Sequence, residues 1–260
     1  MRSMWDRYVR HPESGRAAPA AIDDAGLRSA QGTRTCVAPP GGGGMEAIMT
    51  TTAISPTRMH ETAHAASTRT PGILLFTLAA QFMTVIMLAA SMAPGYDVAG
   101  GAISDLGVIS ETAIVFNLSL IAVGALNIVA GYLLYRIHDR GWILGLYLLA
   151  GLGAAGAGLV PLDTSDAHGM FAFAAFLFFN IQAIASGTLV EGPMRAVSYL
   201  AGIVGLIFVV VMVIGDSGTS AVFGPIGHGG AERMIVYPAM LWMIVFGGYL
   251  MAEPRIKPSA

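Results

Sequence analysis

Only 12% of this 260-residue chain is charged and 55% is hydrophobic, about half the charge of an ordinary soluble domain, which excludes the soluble globular class. With 14 basic residues against 16 acids the formal net charge is −2, so there is no basic footprint and no nucleic-acid partner is expected. Cys36 is the single cysteine, which excludes an intrachain disulfide framework and a cysteine zinc cluster.

Charge is concentrated at the N-terminus. Residues 1–70 hold eight of the 14 basic residues and six of the 16 acids. The stretch RAAPAAIDDAGLRSAQGTRTCVAPPGGGG has neither helical nor strand periodicity and reads as part of a disordered cytoplasmic extension over 1–70. A second reading stands beside it. Four glycines, each encoded by a purine-rich codon, precede Met45 where a ribosome-binding site would lie, so the true start is then near Met45 or Met49. Neither reading gives the segment a function.

Six later segments have the length to cross the roughly 30 Å hydrocarbon layer, which takes about 20 helical residues. They are 72–93, 112–135, 142–160, 169–190, 196–215 and 234–252, each without a formal charge. Lipid offers no partner to an unpaired backbone group, and none of the runs alternates as a barrel strand would. The expected fold is therefore all-α, a polytopic bundle of six transmembrane helices over 71–253 with a cytoplasmic tail at 254–260. Ser91-Met92-Ala93 places small residues as a signal-peptidase site does, but the first run exceeds the 7–15 residues of a signal core, so it is read as a span.

Arg136, Arg140, Arg195, Arg255 and Lys257 fall in alternate connections. By contrast, 94–111 and 161–168 contain no lysine or arginine, and 216–233 has only Arg233. The positive-inside rule then puts both termini in the cytoplasm and three acid-bearing loops outside a plasma (inner) membrane.

The third span contains GLGAAGAG at 151–158, with Gly141 and Gly145 before it. Small residues four apart let helices approach closely, within the bundle or in a helix-mediated oligomer. Asn117, Ser119, Asn127, Asn180, Gln182 and Ser186 lie inside spans, either as interhelical hydrogen bonds or as a polar path. No acid, lysine or arginine falls mid-span, which counts against an ion pump or proton relay. Trp142, Tyr135, Tyr199, Tyr237 and Trp242 are expected mostly as interfacial anchors, and Pro238 as a kink.

Residues able to do chemistry gather in the outer loops: Asp97, Ser104, Asp105 and Glu111, then Asp163, Asp166 and His168, then Asp216, His228, Glu232 and Arg233. Three readings stay open. In the first the groups are structural, with Asp166 capping the fourth span, Glu111 capping the second and Arg233 pairing with an acid. In the second, His168, His228 and Asp105 hold a metal, zinc by preference, with an open position for water. In the third, Arg233 and Glu232, with the histidines, bind a lipid headgroup or anion.

The phrase AISDLGVISETAIVFNLSLI, directly after a first span, resembles the signature of the Frag/DRAM/Sfk membrane family through Ile103, Ser104, Asp105, Gly107, Glu111 and Phe116. His168, opening a later helix, is similar to that family's histidine. Leu106 departs from the pattern, and Ser110 stands where that family has proline. The final GHGGAERMIVYP is more similar to a prokaryotic six-span membrane family, the domain of unknown function 998. That resemblance covers about 95–252 and implies the same layout, with a serine-aspartate-glycine motif after span one and a late Glu-Arg pair.

The leading expectation is a membrane protein that handles a lipid or lipid-linked group at its outer face, with membrane lipid as partner. Ser104, Asp105, His168, His228, Glu232 and Arg233 are its candidate residues. If it is an enzyme, a lipid hydrolase or acyltransferase fits, with Ser104, Asp105, His168 and His228 as the catalytic set. A structural or regulatory membrane protein and a small-solute transporter are the alternatives.

Overall fold

A computed structural model describes residues 67–252; the expectations for the N-terminal extension, its start and the C-terminal tail lie outside the described residues. Six α-helices follow in chain order: α1 (Arg69–Met92), α2 (Ala113–His138), α3 (Gly141–Leu159), α4 (Ala167–Ser186), α5 (Pro193–Asp216) and α6 (Gly227–Ala252). Even α3, with 19 residues, is about 28 Å long and reaches across a hydrocarbon core. Short 3₁₀ helices at Ile103–Gly107, Gly187–Leu189 and Ser220–Ile226 punctuate the connections.

Each helix packs on its neighbours in sequence, and α6 returns to α1, so the six close into a ring. Leu75, Leu78, Phe82 and Ile86 of α1 are buried in this ring, as a span requires. Outward, Met87, Leu118, Leu152, Met170, Leu200 and Leu241 are each more than half exposed, one from every helix. Water would penalise such a belt and lipid does not. All six helices are long and apolar enough to cross a membrane, and the chain is a multi-pass membrane protein.

Inside the ring the polar residues find one another. Asn127 and Gln182 exchange two amide hydrogen bonds of 3.0 Å between α2 and α4, and Asn127 also donates to the Tyr147 carbonyl. The Tyr147 hydroxyl and Ser186 Oγ are 3.0 Å apart, and Ser119 donates to Gln81 on α1. These bonds satisfy groups that lipid would leave bare, which is the interhelical reading of the polar residues. Trp242 departs from expectation. It is buried in mid-helix, donates from Nε1 to Ser198 Oγ at 2.8 Å and stacks on Phe246, so it is a core residue and not an interfacial anchor.

The small residues of α3 are consumed within the chain. A side chain added at Gly151 would meet Gly124 and Ile128 of α2, and one at Gly153 would meet Phe171 and Ala175 of α4. The 151–158 stripe therefore faces its own neighbours, and of the α3 glycines only Gly141 and Gly145 have open space beside them for another helix.

The largest departure is the start of α6. The expected span begins at 234, yet the helix begins at Gly227 and carries Glu232 and Arg233 in its first turns, 3% and 8% exposed. Both charges find dense hydrogen bonding there, which lets them enter the helix.

Candidate functional site

The connection from α1 to α2 folds over the end of the ring. Asp97 accepts from the backbone N–H groups of Ala99 and Gly100, closing a turn. Asp105 then accepts from the Ala102 N–H at 2.8 Å, which caps the 3₁₀ helix Ile103–Gly107. Glu111, expected to cap α2, instead accepts a 2.7 Å bond from the Ser110 hydroxyl, which holds its carboxyl below the usual range. Thr112 takes the cap position of α2, with its hydroxyl turned back to the Leu106 carbonyl. Asp166 occupies the cap position of α4 as expected, without a side-chain bond to the helix.

Glu232 joins that loop to α6. Its Oε2 accepts the Ile103 N–H at 2.6 Å, and its Oε1 accepts the Ser104 hydroxyl at 3.1 Å. Arg233, one residue on, does not pair with an acid. Its Nη1 donates to the carbonyls of Val98, Gly101 and Gly229 at 2.8–3.2 Å, and its Nη2 donates to the Tyr96 hydroxyl at 2.7 Å. Carbonyl dipoles converging on a planar guanidinium take the place of a counter-ion. Burial pushes the Tyr96 phenol above its ordinary value, opposed by the adjacent Arg233, and its hydroxyl donates hydrogen bonds to the Gly101 and Ala102 carbonyls. With its donors turned onto the loop, Arg233 holds structure where an anion anchor was expected.

The histidines stand apart from that clamp. His168, at the start of α4, is 3% exposed, and its Nδ1 lies 2.8 Å from the Val160 carbonyl. A carbonyl can only accept, so Nδ1 carries the proton and Nε2 of the neutral ring is left as an acceptor. Nε2 is buried and has no partner. His228 Nε2 lies 3.2 Å from Asp216 Oδ1, across the turn from α5 to α6, and its ring meets Phe223 edge-on.

Ser104, Asp105, His168, His228 and Glu232 nevertheless line one cavity of about 450 Å³, between the loop and the ends of α4, α5 and α6. Its opposite wall is apolar, built from Phe173 and Phe176 of α4 and Val209, Met212 and Val213 of α5. Ser104, His168 and Glu232 also border a smaller inner cavity of about 50 Å³ that runs into the apolar centre of the ring. Arg233 lines neither. The expected zinc set of His168, His228 and Asp105 shares the outer cavity without forming a ligand cluster. Asp105 is committed to Ala102 and His168 Nδ1 to Val160, and no group of three His, Cys, Asp or Glu among the described residues is placed to hold a metal ion.

A loop held by a late Glu-Arg pair over six helices matches the layout of the second resemblance, and the comparison of the whole chain agrees. A family model described as "Protein of unknown function (DUF998)" matches residues 77–249. The chain belongs to the DUF998 family. No curated protein and no solved structure matches it significantly. The DUF998 match begins inside α1 and ends inside α6, so it takes in the loop, both histidines and the Glu-Arg pair. The likeness to the Frag/DRAM/Sfk family rests on the quoted residues and no more.

Tyr96 is the member of the site that the sequence reading of this DUF998 chain missed. Its partner Arg233 lies 137 residues away, beyond four helices, so the pairing leaves no local signal in the chain. The apolar wall was equally unmarked, because Phe173, Phe176, Val209 and Val213 look like any other residues of a span.

Proposed function

We propose that this protein handles a lipid or lipid-linked group at the extracytoplasmic face of the plasma membrane, with both termini in the cytoplasm. The observation that carries the reading is the outer cavity, which is polar on the loop side and apolar along α4 and α5. Its volume of about 450 Å³ lies in the range of roughly 300–1,000 Å³ usual for small-molecule sites. Phe173 and Val213, on the apolar wall, are 46% and 52% exposed, so the wall is continuous with the lipid-facing surface. An amphiphile satisfies both sides at once.

The geometry favours binding over hydrolysis or acyl transfer. The Ser104 hydroxyl donates to Glu232 and not to a histidine, and that carboxylate is also held by the Ile103 N–H, so the serine–histidine pair expected for such chemistry is not assembled. A structural role is favoured by a different observation, the use of Glu232 and Arg233 to fasten the 96–104 loop.

Photoactivatable lipid cross-linking separates the two. A bound lipid predicts adducts concentrated on α4 near Phe173 and on α5 near Val213. Labelling spread evenly over the outward residues of all six helices supports the structural role and overturns the lipid reading.

A further inference from the structure

The cavity is lined by acceptors and acids. Asp105, Asp216 and Glu232 bring three carboxyl groups to it, and no lysine or arginine lines it. The one nearby cation on α6, Arg233, donates to Val98, Gly101, Gly229 and Tyr96. A phosphate or carboxylate entering this space would meet three carboxyl groups, with the His228 imidazole beside them already turned to Asp216.

An independent observation points the same way. Two buried side-chain atoms among the described residues lack a partner, Asn180 Oδ1 and His168 Nε2. The first has a local explanation. The Asn180 amide fills the space that a Cβ on Gly205 would occupy, packing against the α5 backbone. His168 Nε2 has no such explanation, since its ring lines both cavities and its other nitrogen is held by Val160. An acceptor buried without a donor loses its hydration with nothing in return, and a donor-bearing ligand restores the bond.

We propose that the outer cavity binds an amphiphile whose headgroup is a hydrogen-bond donor and not an anion, a hydroxyl or an ammonium group, with His168 Nε2 as its acceptor. The proposal rests on the lipid-handling reading and adds the headgroup class to it. Glu232, Asp105 and Asp216 line the polar side with further acceptor oxygens, and the α4–α5 wall takes the chain.

The test is equilibrium binding to the full-length protein in nanodiscs of three single-chain amphiphiles of one chain length: a monoacylglycerol, an alkylamine and an alkyl phosphate. The monoacylglycerol or the alkylamine should bind at least about tenfold more tightly than the alkyl phosphate, and which of the two binds identifies the donor. His168→Asn keeps an amide N–H for Val160 and deletes Nε2; it should weaken that binding by about tenfold with the melting temperature retained. If His168→Asn does not fold, Ala172→Leu, at the wall shared by the two cavities, should lose the same binding. Equal or tighter binding of the alkyl phosphate, or wild-type binding by folded His168→Asn, overturns the headgroup assignment and leaves the lipid reading standing. If no amphiphile binds, or if binding is indifferent to Ala172→Leu, both fall together.

Discussion

At residue 232 a carboxylate sits 3% exposed inside a helix and accepts from a backbone N–H and a hydroxyl of a loop about 130 residues away in the chain. Removing it leaves the Ile103 N–H buried with no acceptor, an arrangement that costs about 1–3 kcal/mol. Glu232→Ala is therefore expected to lower stability by about that amount in a thermal melt. Glu232→Gln, which keeps an oxygen for Ile103, should lose less. Equal losses from both would mean that charge, and not the hydrogen bond, matters at this position. The Glu-Arg pair was legible in the sequence as a motif, but its roles were not. Most partners of the two side chains are backbone groups, which carry no residue-type signal, and Tyr96 looks like an ordinary loop aromatic.

Among the elements, the six helices were legible because lipid imposes length and apolarity, both written directly in the chain. The start of α6 was not, since a hydropathy run stops at the first charge while the helix continues back through Arg233 and Glu232 to Gly227. Docking there requires close approach: the Gly229 N–H donates to the Ala99 carbonyl at 2.8 Å, and a Cβ at 229 would strike the carbonyl oxygens of Gly101 and Val98. Gly229→Ala should accordingly separate the loop from α6, with a loss of about 1–3 kcal/mol and faster proteolysis within 96–104. Wild-type protease resistance would show that the loop docks some other way. Within the ring, the Asn127–Gln182 amide pair should give a coupling of about 1 kcal/mol in a double-mutant cycle of alanine substitutions. Additive losses would mean that each amide is satisfied elsewhere. The zinc expectation illustrates the opposite limit of sequence reading. Residue type and loop placement nominated His168, His228 and Asp105, but local carbonyl and N–H partners compete for such groups, and those partners are visible only in the fold.

For the whole molecule, the ring has two chemically different ends. Asp97, Asp105, Glu111, Asp163, Asp216 and the cavity lie at one, and Arg136, Arg140 and Arg195 lie at the other. The basic end is proposed to face the cytoplasm. With Cys36 replaced by serine, Glu111→Cys should react with an impermeant thiol reagent from outside intact cells, and Arg140→Cys should react only after lysis. The reverse pattern would turn the protein over and put the cavity in the inner leaflet. Whether the cavity under the 96–104 loop holds an amphiphile is decided by a structure of the protein determined in a lipid bilayer. Elongated density is expected along Phe173 and Val213, with its polar end beside His168 and Glu232. A cavity collapsed by its own side chains, or occupied by water alone, would contradict the lipid reading.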